Sequence, residues 1–507
     1  MSRARKSAVK ADTDEPDYAP PQAACLAESL RAFSYELPTA LADLVDNSLT
    51  AHARNIWLDF HWDGADSIIA ITDDGDGMTE EKLRAAMRPG SQSPLIQREP
   101  HDLGRFGLGL KTASFSQGRR LTVRSRARGD APATRCWDLD HIAQVNDWQL
   151  LRHADAAAEP HFQRFAKLTH GTAVVWQKLD RLVAGNATGE AKQQELFLQR
   201  ATAVRDHLAM VFHLLMGGRQ GVKLWLNQRL IAPWDPFLAD EKATQPRGPT
   251  KLKLRGSLVE VEPFILPHHS RISRTMHKDA GGPHGWNAHQ GFYVYRHRRL
   301  LVAGDWLGLG WRKEEHYQLA RIRVEVPNAL DHDWSIDVTK SRAVPPPALR
   351  EELRRIGEAT RSLAKRVFTH RGAKLVSRAE ADRVLLWGPL TKHDKTFYRI
   401  SREHPLVKLA LAGSNDHAAL NALLRMLEET VPFPHITIEN SENPNSLATP
   451  FEQAPDRQIQ EVMAQAFRSL TATGYGAKEA VNRLGTIWPF QLFPALLQTL
   501  AESHNHA

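Results

Sequence analysis

"LADLVDNSLTAHA", residues 41–53, decides how the rest of this chain reads. Leu41, Leu44, Val45, Ser48 and Leu49 follow the i, i+3, i+4, i+7 spacing of a helix with one buried stripe. Asp43, Asp46, Asn47 and Thr50 then share the opposite face. Asp and Asn are poor mid-helix residues, because their short side chains compete for backbone hydrogen bonds. Each costs about half a kcal/mol relative to alanine, so three within one turn call for a reason beyond solvation. A carboxylate and a carboxamide one turn apart can hold a hydrated Mg²⁺, which takes hard oxygen ligands, and orient a water.

Downstream, "SIIAITDDGDGMTEEKLRAAM", residues 67–87, reads as strand, sharp turn and helix. Asp73 ends the strand. Gly75 and Gly77 supply permissive dihedrals, and Thr79 caps the next helix. The turn lacks the spaced oxygens and closing glutamate of a calcium loop. A strand-end aspartate can instead accept a hydrogen bond from the exocyclic amine of a base. Next comes "GRFGLGLKTASFS", residues 104–116, with Gly104, Gly107 and Gly109. It is not the dinucleotide G-x-G-x-x-G, and it has one residue too many before Lys111 for a P-loop. It can still cradle a phosphate. Glycines admit close backbone approach, and a helix beginning near Leu108 aims its positive end at the anion. "HGTAVVWQKL", residues 170–179, adds Gly171 and Thr172 at a strand start.

Composition sets bounds. The 507 residues exceed one ordinary core. No apolar run reaches the roughly 20 residues of a membrane helix. The first 20 residues are basic, then acidic, and read as a disordered tail. Two cysteines, Cys25 and Cys136, have no metal spacing and fit a reducing, cytoplasmic setting. The net charge of +8 permits contact with nucleic acid. Strands are expected in "NIWLDFHW", "SIIAITDD", "RRLTVRSRAR" and "GTAVVWQKL". "VKLWLNQRLI" and "GFYVYRHRRLLV" are expected as hairpin arms of a second unit, and "RISRTMHKDAGGPHGWNAHQG" as a loop. "PPPALREELRRIGEATRSLAKRVF" is expected as an exposed helix.

In order and spacing the four elements of residues 41–53, 73–78, 104–116 and 171–172 resemble the GHKL ATPase superfamily of gyrase B, heat-shock chaperone ATPases, histidine kinases and MutL. The likeness is nearest to its MORC and MutL branch. It covers about residues 25–215. The resemblance implies an α+β chain: a GHKL (Bergerat) ATP-binding α/β sandwich over residues 21–217, a ribosomal-protein-like α/β transducer over 218–370, and a mainly helical region over 371–507. It implies ATP and Mg²⁺, with Asn47 as the metal ligand. Asp73 would bind the adenine amino group, with Gly75, Gly77, Met78 and Thr172 around the base. Gly104, Phe106, Gly107, Leu108, Gly109 and Lys111 would wrap the phosphates under a lid of residues 88–107. The family's general base is a glutamate; here that position is Asp43, one methylene shorter. In the transducer, "HDWSIDVTKSRAVPPP" resembles the loop that returns to the nucleotide, which makes Lys340 a candidate γ-phosphate contact.

What the resemblance implies is an ATP-gated homodimeric clamp on double-stranded DNA, acting in repair, chromatin or defence against foreign DNA, with a partner nuclease, helicase or methylase and no membrane. The basic stretches "RRLTVRSRAR", "KLKLR" and "YRHRRL" suit sequence-independent phosphate contact. The alternatives are an ATP-sensing scaffold that hydrolyses slowly or not at all, and a chaperone-type ATPase. A histidine kinase is disfavoured, since no paired helical phosphoacceptor region is visible.

Overall fold

The computed structural model describes residues 21–32, 35–90, 109–183, 189–218, 220–335, 343–380, 384–392, 395–433, 435–436, 448 and 450–505. Seven strands form the first sheet: β1 (Asn55–His61), β2 (Ile68–Asp73), β3 (Arg120–Arg126), β4 (Ala133–Asp138), β5 (Gly171–Gln177), β6 (Lys223–Leu226) and β7 (Arg229–Leu230). Their order is β4-β3-β5-β2-β1-β6-β7. Every pairing is antiparallel except β1 with β6.

Period-2 alternation assigns the two faces. Ile69 and Ile71 of β2, with Val174 and Trp176 of β5, face the main core. Helices on that side include α1 (Ala23–Arg31), α2 (Leu37–Thr50), α3 (Glu80–Met87), α4 (Gly109–Gln117), α5 (Leu139–Val145) and a long helix, Glu190–Val211. Ile68, Ala70, Ala173 and Val175 face the other way, onto Phe162 and Phe165. Covered on both faces, β2 is buried along its whole length, which is why its sequence is a continuous apolar run rather than an alternating one. Pro38 sits in the first turn of α2, where a missing N–H costs nothing. Ala40, Leu41, Leu44 and Val45 pack that helix on the sheet. α4 is buried from Lys111 to Gln117, and Trp176 Nε1 donates to Ser114 Oγ at 2.8 Å to fix it there.

The second sheet holds β8 (Gln245–Pro246), β9 (Thr250–Leu254), β10 (Ser257–Ile265), β11 (Gly291–Arg296), β12 (Arg299–Asp305) and β13 (Ala320–Glu325). The order is β12-β11-β13-β10-β8, with β9 on the free end of β10. Phe292 and Val294 face one core, which also takes Leu349, Leu353, Ile356 and Ala364 from the helix Pro347–Glu380. Tyr293 and Tyr295 face the opposite side, where Met210 of the long helix and Phe237 meet them. One face of the second sheet therefore rests on the first domain.

Several boundaries differ from the sequence reading. "VKLWLNQRLI" forms the expected hairpin, with Asn227 and Gln228 at positive φ, but it extends the first sheet through the β1–β6 pairing. The first sheet therefore runs past residue 217 to Leu230. The proline-led helix continues to Glu380, across the boundary expected at 370, and buries a stripe rather than lying exposed. The glycine- and histidine-rich segment contains a helix, Arg274–Ala280, capped by Ser273. The C-terminal region opens with a hairpin, Trp387–Lys392 against Lys395–Ile400. Its helices Asp456–Ala472 and Ala477–Leu484 enclose a core of their own around Met463 and Phe467.

Candidate functional site

Asp73 anchors the site. It ends β2, and its Oδ1 accepts from the backbone N–H of Gly75 at 2.9 Å and of Thr172 at 3.3 Å. Its Oδ2 accepts from Ser48 Oγ at 2.8 Å. Burial pushes its pKa up to about 6, against the hydrogen bonds from Gly75, Ser48 and Thr172, which pull it down. A carboxylate offers about four acceptor positions, so three donors leave room for one more.

The backbone around it is tightly nested. Gly77 has φ +69°, and a Cβ there would land on the carbonyl oxygen of Arg126. Gly171, at φ +135°, would meet the carbonyl of Asp73 in the same way. A Cβ at Gly75 would come within 2.6 Å of the Ala51 carbonyl. Met78 N–H donates to Ser125 Oγ at 2.8 Å, and the same hydroxyl lies 2.8 Å from Thr172 Oγ1. Asp73, Gly75, Gly77, Met78 and Thr172 are thus one connected unit spanning β2, β3 and β5.

Along α2 the polar face divides. Asp43 and Asp46 are buried at 4% and 1% exposure, whereas Asn47 and Thr50 are exposed. A Cβ on Gly109, the first residue of α4, would lie 3.8 Å from Asp43 Oδ2. The start of α4 therefore lies beside the carboxylate of Asp43. Lys111 turns inward. Its Nζ donates to the Ala86 carbonyl at 2.9 Å, in the last turn of the helix Glu80–Met87, α3, and burial draws it down to about 8. Gly104, Phe106, Gly107, Leu108 and Lys340 lie outside the described residues, as does the lid beyond Gly90.

Residues 35–172, which include α2, the Asp73 turn, α4 and Thr172, match the histidine kinase-, DNA gyrase B- and HSP90-like ATPase family. The chain carries a GHKL ATPase domain. Within that superfamily it is MORC-like. A stretch of 91 residues is 33% identical to the ATPase morc-1 of Caenorhabditis elegans, covering 18% of this chain and 10% of that protein. A stretch of 84 residues is 25% identical to early nodulin-like protein 20 of Arabidopsis thaliana, covering 17% of this chain and 52% of that protein. The chain thus spans a tenth of the first relative and about half of the second.

The turn of Gly75, Gly77 and Gly171 packs backbone against backbone and leaves no room for side chains, and Asp73 keeps an acceptor position beside it. Among the described residues no group of three His, Cys, Asp or Glu side chains could hold a metal ion. A phosphate-bound Mg²⁺ keeps most of its waters and needs one or two protein oxygens, so the exposed carboxamide of Asn47 suffices.

Two partners of the site carried no sequence signal. Ser48 sits among the apolar positions of α2, yet its hydroxyl holds Asp73. Arg299, 253 residues from Asp46, donates from Nε to both Asp46 oxygens at 3.2 and 3.1 Å. Its stretch, "YRHRRL", reads as basic surface. Arg296 likewise pairs with Asp331, and Arg298 donates to the Leu214 carbonyl. In "RRLTVRSRAR", Arg119 pairs with Asp140 and Glu28, Arg120 with Asp138 and Asp155, and Arg124 with Glu159. In "KLKLR", Arg255 pairs with Asp333, while Lys251 and Lys253 stand exposed on β9. Among the described residues no helix is long and apolar enough to cross a membrane.

Proposed function

We propose that this chain is a Mg²⁺-dependent ATPase that works as an ATP-gated homodimeric clamp on double-stranded DNA. The observation that carries the catalytic part is the buried carboxylate of Asp43 beside the first residue of α4, one helical turn from exposed Asn47. Asp73 accepts the exocyclic amine of adenine, while Gly75, Gly77, Met78 and Thr172 enclose the base. Gly109 presents the start of α4 to the phosphates, joined by Gly104, Phe106, Gly107 and Leu108. Lys111, held at the Ala86 carbonyl, supports that turn from below and adds its charge. Asn47 would hold Mg²⁺, which when bound would supply charge neutralisation for the phosphates. Asp43 takes the proton of the attacking water, directly or through a second water, and this reach compensates for the missing methylene. Lys340 completes the γ-phosphate contacts from the second domain.

Closure around the γ-phosphate brings two copies together, and hydrolysis releases them, an order–disorder cycle of the kind nucleotide switches use. The C. elegans relative is named an ATPase, and its likeness to this chain supports the same chemistry here. We assign the DNA contact to Lys251 and Lys253, which stand exposed on β9, because Arg119, Arg120, Arg124, Arg296, Arg298 and Arg299 of the other two basic stretches already hold acidic or carbonyl partners. A cytoplasmic setting suits Cys25 and Cys136, neither of which forms a disulfide. A nuclease, helicase or methylase partner would carry any chemistry on DNA itself. ATP turnover of the purified chain, with and without duplex DNA at low and high salt, tests the proposal. DNA-stimulated turnover at low salt supports it.

The substitution of aspartate for glutamate favours one second reading, a nucleotide-sensing scaffold that binds ATP and assembles a partner without turnover. It predicts ATP binding with no phosphate release under any of these conditions.

A further inference from the structure

The two domains meet along a seam with two different parts. One part is packed. Met210, Phe237, Phe264, Tyr293, Tyr295 and Leu300 form an apolar cluster across it, and His213 Nε2 lies 2.7 Å from Tyr295 Oη. The other part is open. A cavity of about 770 Å³ is lined by Glu36 and Thr39 at the start of α2, by His207 and Val211 of the long helix, by residues of β12 and by Lys313. Arg299 lies where the packed part gives way to the open one.

There, Arg299 meets three elements at once. It begins β12, its guanidinium lies 5.9 Å from the Phe212 ring at the end of the long helix, and its Nε donates to both oxygens of Asp46 on α2. Both side chains are almost fully enclosed, at 3% and 1% exposure. A buried ion pair adds little net stability over an apolar pair of the same shape; its best-attested use is to fix register. The register fixed here is that of α2. Asp46 is the neighbour of Asn47 and stands one turn after Asp43 on the same helix face.

We infer that Arg299 is a positioning residue of the nucleotide site: from the second domain it sets the turn of α2 that presents Asp43 and Asn47, and so couples the movement of that domain to ATP. The inference rests on the ATPase reading above. The packed cluster gives the pivot, the cavity gives the travel, and the Asp46–Arg299 pair transmits one to the other. Because displacement of a catalytic group by about 1 Å can cost a hundredfold in rate, a coupling residue need not touch substrate to control turnover.

The test compares wild type with Arg299→Met, Arg299→Lys, Asp46→Asn and the Arg299→Met/Asp46→Asn double variant. Turnover is measured over a range of ATP concentrations. Hydrogen exchange is followed with and without Mg²⁺ and a non-hydrolysable ATP analogue. The expected result for Arg299→Met is a fall in kcat of about ten- to a hundredfold, with KM for ATP within about threefold of wild type. The analogue then protects α2 but no longer residues 299–305, which wild type protects together. Arg299→Lys restores part of both readouts, and the double variant is no worse than the single ones. Should Arg299→Met not fold, Arg299→Lys and Asp46→Asn carry the same comparison. Variants with lowered melting temperature but wild-type kcat and joint protection overturn the inference and leave the ATPase reading standing. A wild type that neither binds the analogue nor hydrolyses ATP overturns the reading itself.

Discussion

Ser48 Oγ donates to Asp73 Oδ2 at 2.8 Å, which ties the helix that carries Asp43 and Asn47 to the turn proposed to enclose the base. With burial pushing Asp73 up to about 6, nucleotide affinity is expected to depend on pH. The carboxylate form accepts the adenine amine, so ATP binding weakens as the pH falls from 7 to 5, approaching about tenfold per unit below 6. Ser48→Ala removes a hydrogen bond that favours the ionised form and moves the inflection upward. Asp73→Asn removes the pH dependence and most of the affinity. Titration calorimetry with ATP across that range checks all three.

Gly77→Ala forces a side chain onto the Arg126 carbonyl at φ +69°. Gly64 has a similar φ of +52° but nothing within 4 Å of its missing Cβ. The strain of positive φ is common to both, about 1 kcal/mol, so the difference between them isolates the clash. Gly77→Ala is expected to cost at least about 2 kcal/mol more than Gly64→Ala in urea unfolding and to abolish ATP binding, which Gly64→Ala leaves unchanged.

Much of this site was legible from residues 41–53 and 67–87. Short-range chemistry dominates there: helix period, strand run, a turn that only glycine can make. The expected strands β1, β2, β3 and β5 formed for the same reason. The sequence could not reveal pairings that depend on distant packing. β6 looks like a hairpin arm of whichever domain is near, and only its parallel pairing with β1 assigns it. Arg120, Arg124, Arg296 and Arg299 look like surface charge in one dimension, and their acidic partners are 18 to 253 residues away. The stripe of the helix Pro347–Glu380 is hidden among arginines and glutamates, because only one narrow face packs.

Those ion pairs separate two kinds of charge change. Lys251→Glu and Lys253→Glu together are expected to weaken duplex DNA binding at least tenfold at low salt and to flatten its salt dependence, by about one unit of slope per lysine. Arg120→Gln is expected to lower the melting temperature, since it leaves Asp138 buried without its guanidinium, and to leave the salt slope of DNA binding unchanged. Fluorescence anisotropy at a series of salt concentrations, beside thermal unfolding, distinguishes them.

Acid should unfold this protein early. Burial holds His207, His213 and His277 down to about 4 and His289 down to about 3. Each takes up a proton on unfolding at any pH between its folded value and about 6.5, so stability present above 6.5 is lost as the pH falls toward 4. Asp73 acts in the opposite sense. Its raised pKa favours the folded state below about 4 and ceases to do so as the pH rises through 6. Four histidines outweigh one aspartate, and the melting temperature is expected to drop by roughly 10 °C or more between pH 7 and pH 4.5. Calorimetry in buffers of matched ionic strength measures it.

The central claim is that Asp43, beside Gly109 and one turn from Asn47, activates water for ATP hydrolysis. The direct measurement is phosphate release by wild type, Asp43→Asn and Asn47→Ala, each with its ATP affinity determined separately. The predicted result is turnover in wild type, at least a hundredfold lower kcat with ATP still bound in Asp43→Asn, and loss of Mg²⁺-dependent binding in Asn47→Ala. Phosphate release by Asp43→Asn at the wild-type rate, or none from wild type that binds ATP, would contradict it.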